Sequence, residues 1–266
     1  GVCGCMGQKE GTRLTDSVPH LDLVMGPGAI GHVVNLVDRL QQGERPLIDL
    51  TGIDDDFDEV PPLETGEITY PRFVSIMRGC DKRCTYCIVP YTRGGERSRE
   101  PHVILQEAES LVQKGFKEIT LIGQTVNSYT SHGVDFPRLL EMADAIPGIE
   151  RLRFATSHPA SATPEMLEAV VRLPRVCEQL HLPVQAGSNR TLERMERGYT
   201  REEYLDKIAY FKRLFEGSPI PFSVTTDIIV GFPGETDDEF EETLDLMREV
   251  RFDAAFLGSL AGVLFI

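Results

Sequence analysis

The sequence predicts an α/β fold: six consecutive strand–helix units, preceded by the end of a smaller α/β domain. Two observations carry this expectation. Apolar runs of strand length alternate with helix-length amphipathic segments from Arg72 to Leu257, and unusual polar residues gather where each run ends. Regular alternation implies a parallel sheet with right-handed crossovers. Parallel barrels place their active sites at the C-terminal ends of the strands.

In chain order, Leu21–Met25 reads as a strand and the segment from Gly28 to about Gln41 as a helix. Asp54–Glu64 is acidic, proline-bearing and weakly patterned, which sets a linker over residues 46–70 between a domain at 1–45 and a barrel at 71–258. Arg72–Met77 reads as a buried strand. Pro101 opens a helix to about Lys114, with Gly115 as its stop, as helix start and stop preferences require. Strands follow at Glu118–Ile122, Arg151–Thr156, Glu178–Leu182, Phe222–Val230 and Phe252–Leu257. Helices follow at Phe136–Ile146, Pro164–Arg172, Arg190–Glu196, Arg201–Phe215 and Thr236–Val250. Thr236 with Glu239 three residues on forms a capping-box pattern.

Charged and apolar fractions are ordinary for a soluble globular chain of 266 residues. No secretory signal and no membrane-length apolar run is present. Six cysteines without a signal suit a reducing compartment, so a cytoplasmic location is expected. A net charge of −15 argues against a simple nucleic-acid-binding protein. Lys82, Arg83, Arg93, Arg97 and Arg99 nevertheless cluster in one stretch. They are expected either to meet phosphates or to be ion-paired surface residues.

Cys80, Cys84 and Cys87 carry the chemistry. The spacing C-x3-C-x2-C places three thiols on one short loop. A cubane iron–sulfur cluster normally takes four cysteines, so three leave one iron open to a substrate or cofactor. Structural zinc usually brings paired C-x2-C units or histidines, and neither lies nearby. A disulfide framework belongs to small secreted chains. A ferredoxin would add a fourth cysteine soon after the third, whereas the next one here is Cys177, read as a core residue. No phosphate-cradling G-x4-G-K-[ST] motif occurs.

The run GCDKRCTYCIVPYTRGGERSR from Gly79 to Arg99 resembles the cluster loop of the radical S-adenosylmethionine (SAM) enzymes. Within them it is similar to the methylthiotransferases, and among those to the tRNA-modifying MiaB group; the likeness runs from about Gly4 to about Phe256. The resemblance implies a partial (β/α)6 radical-SAM barrel, with Cys80, Cys84 and Cys87 holding a [4Fe-4S] cluster whose fourth iron takes SAM. It places Gly123 and Gln124 near the methionine part of SAM. Ser157 (in the Thr156-Ser157-His158-Pro159 string), Gln185, Ser188 and Gly231 are assigned to the other SAM-approaching loops. The family carries asparagine where this chain has Thr125. Some of these loop residues have a plainer reading as turns and caps.

Gly4-Cys5-Met6-Gly7 resembles the last cysteine motif of the methylthiotransferase N-terminal domain. It implies that Cys5 is a ligand of a second [4Fe-4S] cluster in the intact protein, with the other ligands missing here, while Cys3 is incidental. The chain thus resembles a fragment, one that lacks the start of that domain and a C-terminal TRAM domain and ends in an atypical tail at 259–266. The implied activity is methylthiolation of carbon 2 of N6-isopentenyladenosine beside the anticodon: reductive SAM cleavage gives a 5′-deoxyadenosyl radical, hydrogen is removed from the base, and a methylated sulfur is transferred. Implied partners are the tRNA anticodon loop, a flavodoxin or ferredoxin reductant and a sulfur donor, with no membrane and a monomeric state. Alternatives are a methylthiotransferase acting on threonylcarbamoyladenosine tRNA or a ribosomal protein, or a non-catalytic iron–sulfur or zinc-binding fragment.

Overall fold

The computed structural model describes residues 1–52 and 72–259. The expected Asp54–Glu64 linker and all of the tail beyond Ser259 lie outside the described residues. The chain divides into two compact units. The first comprises residues 1–52, 78–82 and 87–97, and the second residues 72–77, 83–86 and 98–259.

The first unit holds a three-stranded parallel sheet of β1 (Val2–Cys3), β2 (Leu23–Met25) and β3 (Leu47–Asp49), with β2 in the centre. β3 corrects the expected linker start at residue 46, because Leu47 pairs with Leu23 and buries its side chain. Two short helices, α1 (Cys5–Glu10) and α2 (Thr12–Ser17), follow β1. The helix expected from Gly28 is a 3₁₀ turn over Pro27–His32 that becomes α-helical only at α3 (Val33–Gln41). Pro27 fits a first helical turn, but Gly28 and Gly31 weaken the α form there. A small core of Leu23, Met25, Ala29, Leu36 and Leu47 supports this unit.

Six parallel strands build the second unit: β4 (Arg72–Ser75), β5 (Glu118–Ile122), β6 (Arg151–Phe154), β7 (Gln179–His181), β8 (Ser223–Val230) and β9 (Ala254–Ser259). They form two parallel triplets, β4-β5-β6 and β7-β8-β9, joined by a parallel bridge from Leu152 to Val176. Strand order therefore follows chain order, as in the expected partial (β/α)6 barrel. Among the described residues no pairing of β4 with β9 closes it. Between the strands run α5 (Pro101–Gln113), α6 (Phe136–Asp144), α7 (Pro164–Arg172), the pair α8 (Asn189–Arg194) and α9 (Arg201–Leu214), and α10 (Asp237–Val250); α4 (Val89–Arg93) lies in the first unit.

Local chemistry fixes the helix starts. Asp135 and Thr163 accept the amides of Arg138 and Met166 at 3.0 and 3.3 Å, each just ahead of a proline in the first turn. Thr200 with Glu203 and Thr236 with Glu239 form full capping boxes. Central strands are apolar because both faces are covered: Ile119, Leu121, Val224 and Ile228 expose at most 2 % of their surface. Among the described residues no helix is long and apolar enough to cross a membrane.

Candidate functional site

The cysteine loop contributes to both units: Cys80 and Cys87 belong to the first and Cys84 to the second. Cys80 and Cys84 are buried and Cys87 is half-buried. In the first unit, Gly79 takes φ +81°, and a Cβ there would collide with the carbonyls of Gly94 and Gly95. This close approach brings the Cys80 amide within 3.1 Å of the Gly94 carbonyl, while Asp81 accepts the Glu96 amide at 3.0 Å. Cys5 opens α1 in the same unit, and the Arg93 Nε donates to its sulfur at 3.3 Å. Burial pushes the Cys5 thiol up, but hydrogen bonds from Thr92 and Arg93 and the guanidinium charge outweigh it and hold it below the usual thiol range. Cys3 is exposed at the end of β1.

In the second unit, Cys84 is buried, and a residue that sequence reasoning missed stands against it. Arg197, 5 % exposed, donates from Nη1 to the Cys84 sulfur at 3.3 Å and to the Tyr86 hydroxyl at 3.2 Å. Its Nη2 donates to the Pro183 carbonyl at 2.9 Å and its Nε to the Tyr199 hydroxyl at 3.1 Å. Tyr199 in turn donates to the Val184 carbonyl at 2.7 Å, and Tyr204 to Leu182 at 2.9 Å. Three successive buried carbonyls after β7 are thus met by three side chains, as buried backbone groups must be. Burial pushes the Tyr199 phenol up to about 12, against the opposing pull of Arg197. Burial alone would lower the Arg197 guanidinium, but Tyr199, Tyr86 and Cys84 hold it above the ordinary arginine range. The only signal in the sequence was a cation and a tyrosine in the short Glu196–Thr200 turn between two helices.

The loops after β5 and β6 are laced together. Thr156, at φ +68°, donates to the Gly123 carbonyl at 2.5 Å, and the Val126 amide to the Thr156 carbonyl at 3.1 Å. Asn127 makes a two-way pair with the His158 backbone at 2.8 and 2.9 Å. Gly123 sits where a Cβ would meet Met77 Cγ at 2.5 Å; Gln124 is half-buried beside it. After β7, Gln185 adopts φ +72° and commits both backbone groups to β8, bonding Asp227 and Ile229 at 2.9 Å. The Gly231 amide already donates to Glu235 at 2.7 Å. The assigned loop serines differ from all of these. The hydroxyls of Ser157, 5 % exposed, and Ser188, fully buried, meet no hydrogen-bond partner among the described residues.

Two expectations need correction. Arg99 is not part of a phosphate-facing rim: it is 2 % exposed and bonds the Ser75 carbonyl and Glu107 at 2.6 and 2.7 Å. Cys177 is half-buried rather than a core residue, and burial raises its thiol.

Among the described residues no three His, Cys, Asp or Glu side chains are gathered as a metal-holding group. The donor chemistry nevertheless fits the implied cofactors. The loop offers three cysteine sulfurs, one against a buried cation, and two buried hydroxyls after barrel strands meet no hydrogen-bond partner among the described residues, as a polar ligand would require.

The chain is similar to known proteins. The chain is 47 % identical to tRNA-2-methylthio-N(6)-dimethylallyladenosine synthase of Pelotomaculum thermopropionicum, over 96 % of this chain and 57 % of that protein. It is 46 % identical to the synthase of the same name from Moorella thermoacetica, over 96 % and 57 %. The chain therefore spans a little over half the length of these relatives. The radical SAM methyltransferase TsrM of Kitasatospora setae aligns with a TM-score of 0.57 at 19 % identity, covering 71 % of this chain and 35 % of that one. The cobalamin-dependent radical enzyme OxsB aligns with a TM-score of 0.53 at 16 % identity, covering 98 % and 48 %; both likenesses concern the fold alone. The Radical SAM superfamily profile matches residues 74–247, well over half of the sequence, and the chain belongs to that superfamily.

Proposed function

We propose that this chain carries the radical-generating part of a tRNA methylthiotransferase that modifies carbon 2 of N6-isopentenyladenosine beside the anticodon. The observation that carries this reading is the Cys80–Cys84–Cys87 loop following the first strand of a parallel six-strand unit, in a chain so similar to the synthases named above. Cys80, Cys84 and Cys87 hold a [4Fe-4S] cluster, and Cys5 contributes to a second one. Once bound, the first cluster and SAM supply the hydrogen-abstracting chemistry.

The chain's own residues position and shield. Ser157 and Ser188 offer unpaired hydroxyls to SAM, with Gln124 and Gln185 beside them in the loops after β5 and β7. The absence of a Cβ at Gly123 lets its loop press on Met77. Gly231 contributes shape alone, since its amide is taken. The adenosine lies in a single-stranded loop, where a base can be splayed out and read. A flavodoxin- or ferredoxin-type reductant and a sulfur donor complete the reaction, in the cytoplasm and on a monomer. Residues 1–49, β3 included, act as part of the sulfur-supplying domain.

Anaerobic reconstitution with iron and sulfide tests the first step. SAM is to yield 5′-deoxyadenosine under dithionite, and C80A, C84A or C87A is to reduce that yield by more than about a hundredfold. A variant that retains the yield sinks the mechanism. Mass spectrometry of tRNA from a strain lacking the gene decides the substrate: loss of the 2-methylthio group from isopentenyladenosine is expected, and loss from threonylcarbamoyladenosine instead overturns it.

A further inference from the structure

Arg197 has no role in the reading above, yet it is a buried cation. All three guanidinium nitrogens are engaged: Nε by Tyr199, Nη2 by the Pro183 carbonyl, and Nη1 by both Tyr86 and the Cys84 sulfur. The turn that bears it also grips the cysteine loop one residue further on. The Thr85 amide donates to the Met195 carbonyl at 3.1 Å, and the Thr85 hydroxyl to the Arg194 carbonyl at 3.0 Å. Glu196, at φ +53°, bends the chain between those carbonyls and Arg197. A side chain needed only to satisfy one carbonyl would not require a charge, and burying one costs several kcal/mol.

We propose that Arg197 is a positioning residue that donates a fixed, charged N–H bond to Cys84 and so raises the reduction potential of the cluster that Cys84 ligates. This rests on the cluster reading of the triad. The physical basis is short. Adding one electron makes an iron–sulfur cluster more negative, and a buried cation at hydrogen-bond distance from a ligating sulfur favours the more negative state. Hydrogen bonds to sulfur, burial and net charge are the protein's levers on such potentials. Because the fork is held by Tyr86, Tyr199 and Pro183, the donor needs no rearrangement when the electron arrives.

The experiment is an EPR-monitored redox titration, with dithionite as electron source, of the chain reconstituted with iron and sulfide and compared at equal iron content. R197M and R197Q are each expected to disfavour the reduced state at least about tenfold, a fall of about 59 mV for a one-electron couple. R197K, which keeps the charge but not the fork, is expected to recover part of that fall. Should R197M fail to fold, R197Q retains a polar contact for Pro183 and decides the matter. Variants that load a cluster with the parent's potential overturn the proposal while leaving the cluster reading intact. A parent chain that takes up no iron and sulfide overturns both. A purely structural Arg197 would alter cluster retention or melting temperature but leave the potential where it was.

Discussion

Ser157 and Ser188 each bury a hydroxyl that has no hydrogen-bond partner among the described residues. An unsatisfied buried polar group costs about 1–3 kcal/mol, so these residues do not help the ligand-free fold. Serine to alanine at either position is therefore expected to leave the melting temperature unchanged or raise it. SAM affinity of the reconstituted protein, read by equilibrium dialysis, should fall by roughly three- to tenfold per site, the worth of one hydrogen bond of about 0.5–1.5 kcal/mol. A drop in stability with unchanged affinity would mean that the hydroxyls serve packing. Such residues were legible in the sequence only as polar positions after strands. Gln185 and Gly231 share that signal, yet Gln185 commits its backbone to β8 and Gly231 its amide to Glu235. Position after a strand does not say which polar atoms the fold has already used.

Helix starts were the easiest elements to read. Pro101, Pro164 and the Thr236–Glu239 pair stand where a first turn needs a proline or a capping oxygen, and the structure starts helices there. Short elements were missed, because two or three residues such as Val2–Cys3 or Leu47–Asp49 carry no period to detect. Glu239 does more than cap. Its carboxylate takes a bidentate bond from Arg194 at 2.6 and 3.2 Å, tying α10 to α8, the helix that leads to Arg197. Arg194 and the Thr236 amide hold its pKa at about 2. A depressed carboxylate stabilises the fold fully above its unfolded value and loses that contribution as pH falls through its folded value. E239Q is thus expected to cost about 1–2 kcal/mol at pH 7, discounted because Arg194 is partly exposed. The gap from the parent should narrow between pH 4.5 and about 2. Urea melts at pH 7 and pH 3 measure it; a gap that does not change with pH would mean that Glu239 acts as a neutral cap.

At the scale of the whole molecule, strand–helix alternation carried the six-strand topology, since each parallel pairing needs a crossover of helix length. The distribution of the cysteine loop over two compact units was not legible. It follows from long-range contacts such as the close passage of Gly79 against Gly94 and Gly95, which local pattern does not encode. The two units also differ in what holds them. Among the described residues the second has a large core cluster drawn from strands and helices alike, whereas the first has a cluster of five buried apolar residues with Leu40 packed against it, and α2 buries none of its side chains. Local opening is cheapest where few apolar contacts must break, and small cores leave little margin. Native-state hydrogen exchange should therefore find the amides of Glu118–Ile122 and Ser223–Val230 protected at least about a hundredfold more than those of Thr12–Ser17. Metal loading sharpens the expectation, because ligands that bind only the folded state stabilise it by mass action. Reconstitution with iron and sulfide should slow exchange around Cys80, Cys84 and Cys87 and leave the already protected β5 and β8 amides almost unchanged. Equal protection of α2 and β5 in the metal-free chain would show that the small core of the first unit does not set its stability.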